Sequence, residues 1–146
     1  MESTLQEHDF AEIKAPGDNS CLFWSVALGY LTPVLEDAAA FQKRYQLIFG
    51  NIIDYKHIHS LLQKLHYYSD TSIHRDYIAT RLICEQFRSH VIEYEADHQS
   101  ELEHYFCAGD DHGSNFHEYL AYMHDVNSWG SEIEIRAMAD LLGCNI

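Results

Sequence analysis

The sequence predicts an α/β domain in which helices dominate: a small sheet flanked by helices, with an enlarged helical region. Three observations carry this. Gly and Pro are scarce in the 146 residues, 7 and 2 respectively, which disfavours a turn-rich sandwich or barrel. Apolar residues recur at helical spacing along most of the chain. Two short pieces, Phe10 to Lys14 and Cys144-Asn145-Ile146, read as extended.

The elements follow in order. Pro16-Gly17 is a turn signal. Cys21 to Leu31 reads as a buried helix, and Glu36 to Phe49 and Asp54 to Leu65 as amphipathic ones. Ile73, Tyr77, Ile78, Leu82, Phe87 and Val91 step along one face of a longer helix that continues, with a break, to Phe106. Gly109 to Asn115 is a polar loop. Phe116, Tyr119, Leu120 and Met123 resume helical spacing. Ser131 and Glu134 form a Ser-x-x-Glu capping box at the start of the last helix. Ile133, Ala137, Met138, Leu141 and Leu142 are its apolar face, and Gly143 stands where a left-handed stop belongs. Tyr67-Tyr68 and the other tyrosines read as core-edge residues, with an exposed subset available to a protein partner.

Charge excludes several functions. Nine Lys and Arg face 23 Asp and Glu, a formal net charge of −14. Phosphate neutralisation therefore cannot be the main source of affinity, so no nucleic-acid partner is expected. An anionic membrane surface is disfavoured for the same reason. The longest mostly apolar run, Cys21 to Leu35, is too short to span a bilayer, so no membrane insertion is expected. Met1 to Phe10 carries three acids and no base, unlike a signal or transit peptide. Between Arg88 and Arg136 lie eleven acids, six of the eleven histidines, and no Lys or Arg. This stretch is either a solvated helical face or a docking surface for a basic partner.

The four cysteines, Cys21, Cys84, Cys107 and Cys144, form no Cys-x-x-Cys pair. Neither a zinc ribbon nor a disulfide scaffold is suggested, and a reducing intracellular compartment is the expected setting. Cys107, His112 and His117 have metal-ligating atoms but no recognised zinc spacing. Asp110-Asp111 lacks the other oxygens of a calcium loop. No glycine-rich phosphate loop is present. No metal and no organic cofactor are expected.

The chemistry concentrates in Gly17-Asp18-Asn19-Ser20-Cys21-Leu22-Phe23-Trp24-Ser25. A turn of small polar residues runs into an apolar helix with Cys21 at the junction. Unpaired N–H groups and the positive end of the helix dipole favour a thiolate there, and the same groups can hold an oxyanion. Asp18 can cap the turn.

This segment resembles the catalytic loop of the ovarian tumour (OTU) family of cysteine proteases, the deubiquitinases, whose pattern is Gly-Asp-Gly-Asn-Cys-Leu-Phe-x-Ser. Asn19 and Ser20 depart from it. Trp129-Gly130-Ser131-Glu132-Ile133-Glu134-Ile135-Arg136-Ala137-Met138-Ala139 resembles the family's second signature, Trp-Gly-Gly-Glu-x-Glu-Leu-x-Ala-x-Ala, with Ser131 departing from its second Gly. The two are 108 positions apart. That interval is longer than in compact members and similar to the OTU-type effectors of intracellular bacteria such as Legionella.

The resemblance implies a papain-type cysteine protease fold, with residues 1–146 forming one OTU-like domain and residues 40–110 a helical insertion or arm associated with ubiquitin binding. It implies that Cys21 is the nucleophile and that the backbone of Asn19, Ser20 and Cys21 forms the oxyanion hole. Asp18 would support that loop, and Trp129 would pack beside the site. The family's catalytic His lies on a strand hairpin beyond the Trp-Gly-Gly helix, so it is expected beyond Ile146 and the chain reads as C-terminally incomplete, inactive or weakly active by itself. His112, His117 and His124 are the internal candidates for a substitute. The partner implied is ubiquitin or polyubiquitin, and the location a reducing compartment, including a host cytosol reached by bacterial secretion. The rival reading is an OTU-like ubiquitin-binding or scaffolding module that performs no chemistry.

Overall fold

The computed structural model describes residues 19–106 and 115–146. Helix α1 (Cys21–Leu31) spans the predicted segment and buries Phe23, Trp24, Ala27, Leu28 and Leu31. A 3-10 turn at Thr32–Val34 carries Pro33 near its start, where a missing N–H costs nothing. Helix α2 (Ala38–Phe49) begins where the Asp37 carboxylate accepts the Ala40 N–H at 3.1 Å and ends at Gly50, whose φ of 76° supplies the left-handed stop. Helix α3 (Tyr55–Tyr68) packs Ile58, Leu61, Leu62 and Leu65 inward. Phe41, Tyr45, Phe49 and Tyr55 interlock between α2 and α3, with ring centroids 4.8 to 6.2 Å apart.

The long helix expected after Ile73 is present but segmented. A 3-10 turn (Thr71–Arg75) leads to Asp76, whose carboxylate caps α4 (Tyr77–Thr80) through the Ala79 N–H at 2.9 Å. A π-helical stretch follows at Arg81–Phe87, then α5 (Arg88–Asp97). The break comes at His98, before α6 (Gln99–Leu102) and a 3-10 turn at Glu103–Tyr105. Helix α7 (Phe116–Met123) is capped by Asn115, and α8 (Glu132–Leu142) carries the predicted capping box. The Ser131 hydroxyl accepts the Ile133 N–H at 3.4 Å, and Glu134 Oε1 accepts the Ser131 N–H at 2.8 Å. Gly143 closes α8 at φ 65°.

Two expectations are corrected. The α/β architecture with a small sheet is not what forms: the described residues are helices and turns, with no strand among them. Cys144-Asn145-Ile146 is not a strand, because no described segment pairs with it. An extended piece becomes a strand only when a neighbour shares its N–H and C=O groups. The Cys144 N–H instead turns back to the Ala139 carbonyl at 3.1 Å, helping to end α8. Phe10 to Lys14, Pro16-Gly17 and most of the Gly109–Asn115 loop lie outside the described residues. Tyr67 and Tyr68 fall in the exposed subset of the tyrosines. They are 49% and 80% exposed, at the end of α3 where the chain turns away.

Helix α1 packs against α2 and the π-helical stretch, while α5 packs against both α7 and α8. Phe23 of α1 meets Phe87 edge-on at 5.9 Å. This arrangement brings the start of α1 beside the turn between α7 and α8.

Candidate active site

Cys21 is the first residue of α1 and is partly exposed. Ser20 is the helix N-cap, but its side chain makes no capping bond to the first turn. The hydroxyl turns inward instead. It donates to the Val126 carbonyl at 3.3 Å and accepts from Arg88 Nη2 at 3.0 Å. The Ser20 carbonyl accepts the Trp24 N–H at 3.0 Å, the first backbone bond of the helix. With the cap side chain engaged elsewhere, no Ser20 oxygen competes from the side chain for the first-turn donors beside Cys21.

The second signature sits against the first. The Asn19 amide donates to the Asn127 carbonyl, and Ser20 reaches Val126. Gly130 lies on Leu22, so closely that a Cβ at Gly130 would collide with the Leu22 side chain. A side chain in place of this glycine would force Leu22, the residue after the cysteine, to shift. Trp129 is 57% exposed on the rim. Ser128 is buried, and its hydroxyl donates to the Tyr122 carbonyl at 2.6 Å. Residues more than a hundred positions apart therefore share one surface, with a half-exposed thiol and an exposed indole on it.

Behind this surface is a polar cluster that the sequence did not announce. Glu134 is fully buried and accepts from the Tyr119 hydroxyl at 2.7 and 2.8 Å and from the Ser131 hydroxyl at 2.9 Å, besides the Ser131 N–H. Glu95, on α5, is also fully buried; no donor group reaches either of its oxygens, and the Glu134 carboxylate adjoins it. Burial first, and the adjoining Glu134 carboxylate second, push the Glu95 carboxyl up to about 10, so it keeps its proton at neutral pH. Burial and then Glu134 also raise the Tyr119 phenol, which stays a donor. Two of the eleven acids of the basic-free stretch are therefore core groups. Glu93, Asp97, Glu101, Glu103, Glu118, Asp125 and Glu132 are exposed.

Asp18, Cys107, Asp110, Asp111 and His112 lie outside the described residues. His117 and His124 are exposed, and no described histidine hydrogen-bonds Cys21. Among the described residues no group of His, Cys, Asp and Glu is arranged to hold a metal ion, and no helix is long and apolar enough to cross a membrane. The feature that sequence reasoning missed is Arg88. Its signal was present: Cys84, Arg88, Val91 and Glu95 fall on one helical face, so two ionisable residues share an otherwise apolar stripe.

A family model described as OTU-like cysteine protease matches residues 55–146, well over half of the chain. The chain belongs to that family. The match takes in the Trp129-Gly130 signature and begins after the Cys21 turn. No curated protein and no solved structure matches the chain.

Proposed function

We propose that this OTU-like cysteine protease domain acts on ubiquitin or polyubiquitin, hydrolysing the isopeptide bond to lysine with Cys21 as nucleophile. The observation that supports this is the contact between the Asn19–Leu22 segment and the Val126–Gly130 segment. It joins the cysteine turn, which the family match leaves out, to a signature that the match contains.

In this reading the Cys21 thiolate attacks the carbonyl carbon of the ubiquitin C-terminus. The carbonyl electron pair moves onto oxygen and is held by the N–H groups of Asn19, Ser20 and Cys21. Collapse expels the lysine amine, which takes a proton, and leaves a thioester. Water then attacks the thioester, releasing the carboxylate and the thiol. Asp18 holds the loop, and Trp129 shields the reacting centre. The proton transfers need a positioned base beside Cys21, and no described histidine hydrogen-bonds it. Positioned acid–base assistance of this kind is worth about 10²–10⁴-fold. The exposed side chains Ile52, Ile53, Tyr67, Tyr68 and Tyr77, all within residues 40–110, are the contact surface proposed for ubiquitin.

The test is cleavage of isopeptide-linked diubiquitin by the full-length protein, beside its Cys21→Ala variant. Cleavage lost in the variant supports the reading. Equal cleavage by both, or binding of ubiquitin with no cleavage by either, overturns it, and the second result makes the chain a binding module.

A further inference from the structure

Arg88 is 1% exposed, among the most buried side chains in the protein. Its guanidinium lies over the Phe23 ring, 4.4 Å from the centroid. Nε donates to the Cys84 carbonyl at 3.3 Å and Nη1 to the Met123 carbonyl at 3.0 Å. Nη2 faces the candidate site: the Ser128 carbonyl at 2.9 Å, the Ser20 hydroxyl at 3.0 Å, and the Val126 and Asn19 carbonyls at 3.3 and 3.5 Å. One planar fork thus touches the helix that carries it, the turn before Cys21, and the segment that leads into Trp129-Gly130.

The Asn19 contact has a directional consequence. A trans peptide holds its C=O and N–H on opposite sides of the plane, and no cis peptide bond occurs among the described residues. With the Asn19 carbonyl turned to Arg88, the Ser20 N–H therefore lies on the side of that peptide away from the guanidinium. The geometry points to Arg88 as the positioning residue of the site: it locks the Asn19–Ser20 turn onto Val126–Ser128 and so aims the oxyanion-binding N–H beside Cys21. This rests on the reading of Cys21 as the nucleophile. It does not depend on ubiquitin as the substrate. Lysine cannot do the same, since an ammonium is a point donor and lacks the planar fork that spans three segments.

The test compares two reagents on Cys21 in the full chain, with modification at each cysteine followed by peptide mapping. p-Nitrophenyl acetate acetylates a thiolate through a tetrahedral oxyanion and releases nitrophenolate. Iodoacetamide alkylates the same thiolate by displacement of iodide, with no oxyanion. In Arg88→Ala, acetylation of Cys21 should fall about ten- to hundredfold, the scale of a misplaced oxyanion donor, while alkylation stays within about threefold. Millimolar methylguanidine should restore the acetylation rate, methylammonium should not, and Arg88→Lys should remain slow. If both reactions slow equally, or neither slows, Arg88 only fills the core and the proposal is overturned. Restoration by methylammonium as well as by methylguanidine overturns it too. Should Arg88→Ala fail to fold, Ser20→Ala removes the hydroxyl that receives Nη2 and is read in the same way. A selective loss of acetylation supports the proposal, and wild-type rates for both reagents overturn it. If Cys21 reacts normally with both small reagents yet no ubiquitin substrate is cleaved, the ubiquitin reading fails while the role of Arg88 is still decided.

Discussion

Replacing Glu95 by Gln should stabilise the protein, and by an amount that grows with pH. An unfolded Glu titrates near its ordinary value of 4.5, whereas folded Glu95 holds its proton to about 10. A group whose folded value is raised contributes stability that is complete below the unfolded value and is lost as pH rises toward the folded one. At pH 7 the unfolded chain has released this proton and the folded chain must hold it. That costs about 2.5 pH units at about 1.4 kcal/mol each, roughly 3 to 4 kcal/mol. Gln has the shape of the protonated acid and no proton to lose, and its amide can donate toward Glu134. Glu134, Tyr119 and Ser131, the groups gathered at this site, are the same in both proteins. Urea denaturation in reductant at pH 5, 6, 7, 8 and 9 is the assay. The gap between Glu95→Gln and the native protein should be small at pH 5 and widen by about 1.4 kcal/mol per unit above it. A gap that does not change with pH would show that Glu95 is ionised in the folded state and would refute the reasoning.

Three further outcomes follow from the same surface. Gly130→Ala puts a methyl into the Leu22 side chain; it should cost about 1–3 kcal/mol of stability in a thermal melt and slow Cys21 modification by displacing α1. Ser131→Ala removes the α8 cap and one donor to Glu134, and should cost about 1 kcal/mol by urea denaturation. Charge reversal of the exposed pair Glu93 and Asp97 should slow ubiquitin association severalfold at low salt, with little change in dissociation by stopped-flow fluorescence. The difference should fade as screening shortens to about 8–10 Å.

Much of the helical layout is legible in the residues. Cys21–Leu31 has readable ends because a polar turn precedes it and Pro33 follows. Ser131, Glu134 and Gly143 mark both ends of α8 through side-chain chemistry and φ preference. The π-helical stretch at Arg81–Phe87 has no such signal, since widening a turn by one residue needs no special residue type. The small sheet was an expectation from extended pieces and likeness, and Cys144–Ile146 finds no described partner to make one. At the site, a lone cysteine at a helix start was visible, and so was a Trp-Gly pair. Their contact was not, because Ser20 reads as an N-cap while its hydroxyl goes to Val126 and Arg88. Glu95 and Glu134 were counted as surface charge, because burial depends on which face of α5 meets α8, and the π-helical stretch resets that face.

The most direct measurement is the mass and mapping of the adduct formed with a ubiquitin bearing a thiol-reactive C-terminus. The account predicts one adduct per chain, located on Cys21, absent in Cys21→Ala, with Cys84, Cys107 and Cys144 unmodified. An adduct that persists in Cys21→Ala, or one spread over the other cysteines, would contradict it.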